Sequence, residues 1–166
     1  ISDDRILSIF EDSKRRIWVG TLNGLNLYKP ESATFKHFEY RMDDERTLSS
    51  NTIWSINEDS TGTIWVGTRS GGLNYFDVNF PDESGPTFQQ LPDVRLPSAD
   101  IYSVMLDSEN RVWLSHNAGL SVLSQDRTDI ITFDQSFGLQ GPEFNFGAGH
   151  ATQDGVILLG GQDGFN

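Results

Sequence analysis

Cysteine is absent from this sequence, and positively charged residues are scarce. Its 166 residues include 12 Lys and Arg against 24 Asp and Glu, which gives a formal net charge of −12. The absence of Cys excludes disulfide bonds and thiolate metal sites. The acidic balance argues against nucleic acid or an anionic membrane surface as a partner, because phosphate contacts need clustered Lys and Arg.

Long apolar segments are absent as well. No stretch approaches the roughly 20 consecutive apolar residues of a membrane-spanning helix, and no signal peptide is visible. The chain starts at Ile1 and stops just as a further strand of its internal repeat would begin. We therefore expect it to be a piece of a longer protein, which would meet a membrane only through its missing part.

What the sequence does contain is an internal repeat. The segments RRIWVGTLNG, GTIWVGTRSGG and NRVWLSHNAG centre on Trp18, Trp65 and Trp113, which are 47 and 48 residues apart. A degenerate fourth copy, DGVILLGGQDG, has Leu158 at the tryptophan position. An aspartate precedes each tryptophan by six residues, and a glycine follows the next turn: Asp12, Asp59 and Asp107; Gly24, Gly72, Gly119 and Gly164.

Each repeat unit predicts four short strands. ILSIFED, IWSINED and IYSVMLD alternate apolar and polar residues, which is typical of a half-buried strand. The tryptophan strand, a third strand such as GLNYFD and an outer strand such as TFQQL complete the unit. Four strands in about 45 residues match one blade of a β-propeller. We predict an all-β propeller of about three and a half four-stranded antiparallel blades, with units at 1–47, 48–95 and 96–138 and a truncated closing blade at 139–166.

The repeated residues are expected to be structural. The tryptophans would pack between blades, with an aromatic cage for a cation or a sugar platform as the alternatives. The aspartates would cap the first hairpin turn by accepting its backbone N–H groups, with calcium binding or acid chemistry as the alternatives. The turn segment DSTGT lacks the alternating carboxylates of an EF-hand loop.

The stretch LSSNTIWSINEDSTGTIWVGTRSGGLNYFD, residues 48–77, resembles the two-component regulator propeller repeat. The resemblance covers nearly the whole chain, but unit three departs from it because Ser115 and His116 replace Gly67 and Thr68. GLQGPEFNFGAG resembles the closing blade of the family. The resemblance implies a periplasmic sensor region of a bacterial hybrid histidine kinase or diguanylate cyclase, often with carbohydrate-derived ligands.

Motifs of rival families and of catalysis are missing from the sequence. It has no Trp-Asp dipeptide of a WD propeller, no HxxxH or HExxH spacing, no GxSxG elbow and no P-loop lysine. His37, His116 and His150 are expected on an outer strand, a turn and an inner strand. We predict no enzyme, no catalytic residue, no cofactor and no metal. A glycosidase pair formed by carboxylates of different blades stays open as the alternative.

A small-molecule ligand is expected at the loops on one face of the propeller, because loops on a rigid scaffold usually carry binding. These loops are the turns after the tryptophan strands and the crossovers RMDDERTLSSN and PDVRLPSAD. Arg69 is the strongest candidate, as a fork-shaped donor to a carboxylate or to sugar hydroxyls. The other candidates are Ser70, Asn23, His116, Asn117 and Asn51, with Arg46 and Asp100 in the same loops. For each residue, an ordinary solvated turn position is the alternative.

Two functions therefore stay open: a ligand-sensing input domain of a receptor, and a propeller scaffold for protein contacts without a small ligand. Three and a half blades would leave an apolar face at each end and the strand of Leu158 as an unpaired edge. We expect two copies to associate as a two-fold dimer, in which about seven blades could form a ring.

Overall fold

The computed structural model describes residues 1–81, 84–91, 96–152 and 154–166. Within these residues the strands form four antiparallel sheets that follow one another along the chain, and we name them blades 1 to 4. Blade 1 contains β1 (Ile6–Glu11), β2 (Ile17–Thr21), β3 (Gly24–Lys29) and β4 (Thr34–Phe38). Blade 2 contains β5 (Ile53–Glu58), β6 (Thr63–Thr68), β7 (Leu73–Asp77) and β8 (Gln89–Gln90). Blade 3 contains β9 (Ile101–Leu106), β10 (Val112–His116), β11 (Gly119–Leu123) and β12 (Ile130–Phe133), and blade 4 contains β13 (Phe144–Ala151), β14 (Ile157–Gly161) and β15 (Gly164–Phe165).

This arrangement confirms the predicted all-β propeller. Three blades have four strands, and the fourth has three strands, of which the last is two residues long. No helix in the described part of the chain is long and apolar enough to cross a membrane. The unit boundaries after residues 47, 95 and 138 stay a prediction, and the crossover segment 92–95 lies outside the described residues.

The second strand of a blade contributes to two interfaces at once. β6 is buried along its whole length. Trp65 belongs to the buried cluster that includes Ile101 of blade 3, while Ile64 and Val66 belong to the cluster that includes Trp18 of blade 1. Successive side chains of a strand point to opposite faces, so this apolar run serves both neighbours. The inner strands meet in the same order, because β5 contacts β1 and β9, and β9 contacts β13.

Two details of the strands differ from the prediction. The strand of Leu158 is not an unpaired edge, since β14 pairs with β13 on one side and with β15 on the other. That part of the prediction is wrong. The outer strand of blade 2 is limited to Gln89–Gln90. Phe88 does not extend it, because its N–H donates to the carbonyl of Arg46 at 2.9 Å instead of to β7.

The first hairpin of every blade turns through one left-handed residue at the same position. The φ angle is 64° at Arg15, 84° at Gly62, 62° at Asn110 and 87° at Gly155. Glycine adopts this conformation freely, whereas a side chain costs roughly 1–2 kcal/mol there. The same turn is therefore built with glycine in two blades and against a steric cost in the other two.

Candidate functional site

The two ends of the blades carry different turns. We call the end with the first hairpin turns, residues 12–16, 59–63 and 107–111, the hairpin face. The opposite end carries the turns between the second and third strands, and we call it the turn face. The repeat aspartates lie on the hairpin face, and the predicted ligand residues other than His116 belong to the loops of the turn face.

On the hairpin face, each repeat aspartate binds the indole of the tryptophan in its own blade. The indole N–H donates to aspartate Oδ2 over 2.8–2.9 Å in the pairs Trp18–Asp12, Trp65–Asp59 and Trp113–Asp107. Aspartate Oδ1 accepts two backbone N–H groups of the turn in every case. In blade 4, Thr152 stands at the aspartate position, and its hydroxyl accepts the N–H of Val156 at 3.0 Å. The repeated Asp and Trp therefore act as one hydrogen-bonded unit.

Asp59 shows what this bonding does to a carboxylate. Burial by itself would raise its pKa, but hydrogen bonds from Thr61, Thr63 and Trp65 outweigh burial and lower the pKa below its ordinary value. Donors directed at a carboxylate favour its charged form. Asp59 is thus held ionised by the turn that it caps, and its oxygens are occupied by protein groups.

The tryptophans of the first two blades are covered by neighbouring blades. Trp18 lies against Phe76 of blade 2, with 5.2 Å between the ring centroids. The guanidinium of Arg127, from blade 3, lies 4.9 Å from the ring of Trp65. Trp18 and Trp65 are fully buried and have no surface left for a ligand. Trp113 is half-buried.

On the turn face, the four repeat glycines all have a left-handed φ, a conformation that favours glycine: 112° at Gly24, 70° at Gly72, 113° at Gly119 and 134° at Gly164. The N–H of Gly24 donates to the carbonyl of Asn51 at 2.6 Å, and that of Gly72 donates to the carbonyl of Ala99 at 2.8 Å. Each of these two turns is therefore tied to the crossover that enters the next blade.

Four of the predicted loop residues lie in pairs across blade boundaries. Asn51 Nδ2 donates to Asn23 Oδ1 at 3.5 Å, and Asn51 Oδ1 accepts the N–H of Tyr40 at 2.7 Å. One blade further, the N–H of Ser70 donates to Asp100 Oδ1 at 2.8 Å. The structure thus brings Asn23 together with Asn51, and Ser70 together with Asp100.

The other predicted ligand residues have different environments. The side chains of Arg69 and Asn117 are exposed. Arg46 is exposed and forms an ion pair with Asp44 at 2.9 Å. His116 was expected in a turn, but it is the last residue of β10 and is fully buried.

His116 stabilises the interior of blade 3. Its Nδ1 accepts the N–H of Ala118 at 3.1 Å, and its Nε2 lies 2.8 Å from the hydroxyl of Ser121. Because Nδ1 is an acceptor, the proton of the neutral ring is on Nε2. Burial lowers the pKa of His116 to about 4, so the ring is uncharged at neutral pH. In this state His116 supports the blade and does not reach the surface.

Three aromatic residues that the sequence analysis did not single out meet on the turn face, and we call them the aromatic cluster. Trp54 and Tyr102 are the second residues of β5 and β9, and their ring centroids are 4.9 Å apart. Phe146 lies 6.1 Å from Trp54 with the two rings 12° from parallel. Its strand bulges between Phe144 and Gly149, and bulges often redirect a side chain toward a functional site. The available sequence signal was an aromatic residue directly after the first isoleucine of units two and three.

Charged and polar side chains border the aromatic cluster. The hydroxyl of Tyr102 donates to Glu143 Oε1 at 3.2 Å, and Gln162 Nε2 donates to Glu143 Oε2 at 3.1 Å. Burial, and after it the bond to Glu143, raises the pKa of Tyr102, while the positive charge of Arg69 acts in the opposite direction. The N–H of Arg69 donates to the carbonyl of Thr52 at 3.0 Å, which places the backbone of Arg69 beside the residue two before Trp54. The site combines aromatic surface, a guanidinium and carboxylates.

A depression of about 720 Å³ opens on the hairpin face. Several of its polar groups already bind one another across blades. The N–H and the hydroxyl of Ser13 each donate to Glu58 at 2.6 Å, and the N–H of Ser60 donates to Asn110 at 2.8 Å. No three His, Asp or Glu side chains in the described ranges are grouped closely enough to hold a metal ion. The aromatic cluster is the better candidate for a ligand site.

Residues 1–23 and 47–70 match the two component regulator propeller family. These two segments of the chain therefore match the repeat of that family. This confirms the resemblance inferred from the sequence. The two matched segments include the inner strand and the tryptophan strand of blades 1 and 2, together with the aspartate-capped turn between them.

Two proteins that resemble this propeller belong to signalling systems. Histidine kinase P4 of Formosa agariphila is 30% identical over 172 residues, which cover 99% of this chain and 12% of the kinase. The solved extracellular domain of the putative hybrid two component system BT3049 from B. thetaiotaomicron is 27% identical with a TM-score of 0.79, over 99% of this chain and 22% of that one. Virginiamycin B lyase of Staphylococcus aureus, at 15% identity and a TM-score of 0.64 over 93% of this chain and 48% of the lyase, shares the fold alone. The chain is therefore homologous to extracellular propeller domains of two-component systems and spans a small part of them.

Proposed function

We propose that this chain is part of the ligand-sensing input propeller of a bacterial transmembrane signalling receptor, on the extracytoplasmic side of the inner membrane. The family repeats, the similarity to the BT3049 extracellular domain and the similarity to a histidine kinase support this proposal. The output module, a histidine kinase or a diguanylate cyclase, lies elsewhere in the receptor. The propeller itself binds its ligand without transforming it.

The aromatic cluster is the observation that carries the proposal. Binding sites commonly pair apolar and aromatic surface with a few polar groups that fix orientation. Phe146 is largely exposed and Trp54 is half-buried, so both rings present surface at the turn face. Arg69 is exposed, its N–H bonds to the carbonyl of Thr52 two residues before Trp54, and its side chain offers a planar fork of N–H donors. This combination suits a short oligosaccharide, whose ring faces stack on aromatic side chains and whose hydroxyl or carboxylate groups bind Arg.

The carboxylates beside the cluster favour binding over catalysis. Glycosidases use two carboxyl groups of which one protonates the leaving group and the other acts as nucleophile or base. Here Asp100 accepts the N–H of Ser70, and both oxygens of Glu143 accept protein donors, Tyr102 and Gln162. These bonds join the crossovers to neighbouring blades, which gives both carboxylates a structural task.

Calorimetric titration of the purified chain with short neutral and acidic oligosaccharides tests the proposal. We expect one class of sugar to bind with a stoichiometry of one per chain. Arg69→Ala should weaken that binding at least about tenfold, which is about 1.4 kcal/mol. Arg15→Ala is the matched control, because Arg15 is also exposed but belongs to the hairpin face. It should leave binding unchanged.

Two results would contradict the proposal. If no oligosaccharide binds, the alternative of a scaffold for protein contacts gains support. If a sugar binds but neither Arg69→Ala nor Trp54→Ala weakens it, the ligand site lies elsewhere. An assay for newly released reducing ends tests the absence of catalysis, and turnover that Glu143→Gln abolishes would show that the propeller is an enzyme.

A further inference from the structure

The turn of blade 2 on the turn face is one residue longer than the corresponding turns of the other blades. Its repeat glycine, Gly72, comes four positions after the end of β6, whereas the other repeat glycines come three positions after the ends of β2, β10 and β14. The longer turn contains Gly71, whose carbonyl accepts the hydroxyl of Ser49 at 2.6 Å. Ser70 in the same turn has a left-handed φ of 61°. This turn therefore has a shape of its own within the propeller.

A depression of about 470 Å³ lies beside the longer turn, and we call it the Tyr40 depression. It is lined by the glycines of that turn and by Tyr40, Ser49, Ser70, Gln90, Leu96 and Ser98. None of the lining residues that the structure describes is charged. All of them lie between the end of blade 1 and the start of blade 3, so the end faces of the chain take no part. The volume is within the roughly 300–1,000 Å³ of small-molecule sites.

Tyr40 gives the depression an aromatic wall. The residue is 45% exposed, and its N–H donates to Asn51 Oδ1 at 2.7 Å, which ties its backbone to the entry of blade 2. A tyrosine offers an apolar ring together with a polar hydroxyl. Gln90 is exposed beside it and is held in β8 by pairing with Asn74 of β7. The depression thus presents a ring, an amide and serine hydroxyls at fixed positions.

The longer turn also connects the Tyr40 depression with the aromatic cluster. Ser70 lines the depression, and its N–H donates to Asp100 Oδ1 at 2.8 Å. Asp100 stands two residues before Tyr102 of the cluster, and two residues of extended chain span roughly 7 Å. Arg69, directly before Ser70 in the turn, is exposed. The depression and the cluster are therefore neighbours on the turn face, joined by the turn that carries Arg69.

We propose that the Tyr40 depression is a second sugar subsite, so that the turn face takes a glycan longer than the aromatic cluster alone would hold. One part of the glycan lies on the aromatic cluster, with Arg69 as its polar partner. A sugar unit further along the chain stacks on Tyr40 and bonds to the amide of Gln90. This unit is neutral, since the described lining of the depression has no charge to offer. The inference rests on the proposed function and adds the length of the ligand and the polarity of its second part.

Calorimetric titration with sugars of increasing length tests the second subsite. Cello-oligosaccharides and xylo-oligosaccharides are the neutral probes and oligogalacturonides the acidic ones, each from the disaccharide to the hexasaccharide. In a series that binds, affinity should rise with length and then level off when both subsites are filled. Tyr40→Ala should weaken the hexasaccharide roughly three- to tenfold and leave the disaccharide unchanged. Arg69→Ala should weaken both lengths, because Arg69 belongs to the first subsite.

Three further variants make the result specific. Tyr40→Phe keeps the ring and should bind the hexasaccharide within about twofold of the parent. Gln90→Ala changes a second, exposed residue of the depression and should show the same loss restricted to long sugars. Tyr28→Ala is the matched control, because Tyr28 lies against Phe35 near the other end of β3. It should bind sugars of every length as the parent does.

The outcomes separate this inference from the proposed function. Affinity that does not depend on length, or a length dependence that survives both Tyr40→Ala and Gln90→Ala, would overturn the second subsite and leave the proposed function standing. Equal losses for short and long sugars in Tyr40→Ala would also overturn it, because Tyr40 would then belong to the first subsite. If no sugar of any length binds, both proposals are wrong. Circular dichroism and thermal unfolding establish that each variant is folded.

Discussion

Replacing Asp59 by Asn tests whether the bond between aspartate and tryptophan stabilises the blades. The amide oxygen of Asn can still accept the N–H groups of Thr61 and Thr63, which Asp59 Oδ1 accepts at 2.9 and 3.0 Å. The amide nitrogen would then face the indole N–H of Trp65, which donates to Asp59 Oδ2 at 2.9 Å. Two donors would oppose each other in a fully buried position.

The cost follows from the environment of the indole. A buried donor without a partner costs about 1–3 kcal/mol, and bonds to a charged group are worth about 1.5–3 kcal/mol. Arg127, 3.6 Å from Asp59, would also lose its counter-ion. We expect the free energy of unfolding to fall by roughly 2–3 kcal/mol in Asp59→Asn.

Urea denaturation measures this loss, and one fixed protein concentration keeps any contribution of association to the apparent stability the same for parent and variant. In the Trp65→Phe background there is no indole N–H, so Asp59→Asn should cost at least about 1 kcal/mol less there. Asp107→Asn should cost less than Asp59→Asn, because its partner Trp113 is half-exposed and water can reach the indole. Asp126→Asn, in an exposed turn, is the control and should stay within about 0.5 kcal/mol of the parent. Equal losses with and without the indole would refute the reasoning.

Three further predictions concern stability. Trp65→Ala should lower the free energy of unfolding by roughly 3–5 kcal/mol in denaturation, as for other buried aromatic residues, and a loss below about 1 kcal/mol would mean that Trp65 is not a packing residue. The pKa of His116 falls from 6.5 to about 4 on folding, so the unfolded chain takes up a proton first as the pH is lowered. The free energy of unfolding should therefore decrease by roughly 3 kcal/mol as the pH falls through this window. Denaturation of the His116→Thr variant at several pH values should not show this decrease. Arg15 has a left-handed backbone conformation that glycine adopts without strain. Arg15→Gly should therefore raise the free energy of unfolding by roughly 0.5–1 kcal/mol, whereas Gly62→Ala should lower it.

The repeat and the blades were predictable because their signals are local. Alternation of apolar residues over five or six positions defines a strand, and an aspartate before a short turn defines a hairpin. The positions of Asp59 and Trp65 followed from this spacing, but their mutual bond did not, since it requires the hairpin to bring residues six apart onto one side of the sheet. The short length of the outer strand of blade 2 also depends on a residue far away in the sequence, because the N–H of Phe88 donates to the carbonyl of Arg46.

The sequence by itself therefore determined the blades, their order and the apolar faces between them. Only the tertiary structure decided which side chains form the candidate site. Trp54, Tyr102 and Phe146 lie on three different blades, and they meet because the inner strands converge and β13 bulges. His116 has the spacing of a turn residue, yet it is buried by contacts with Ser121 and β9. Contacts between blades depend on how whole sheets are rotated against each other, and no periodicity within a single strand encodes that rotation.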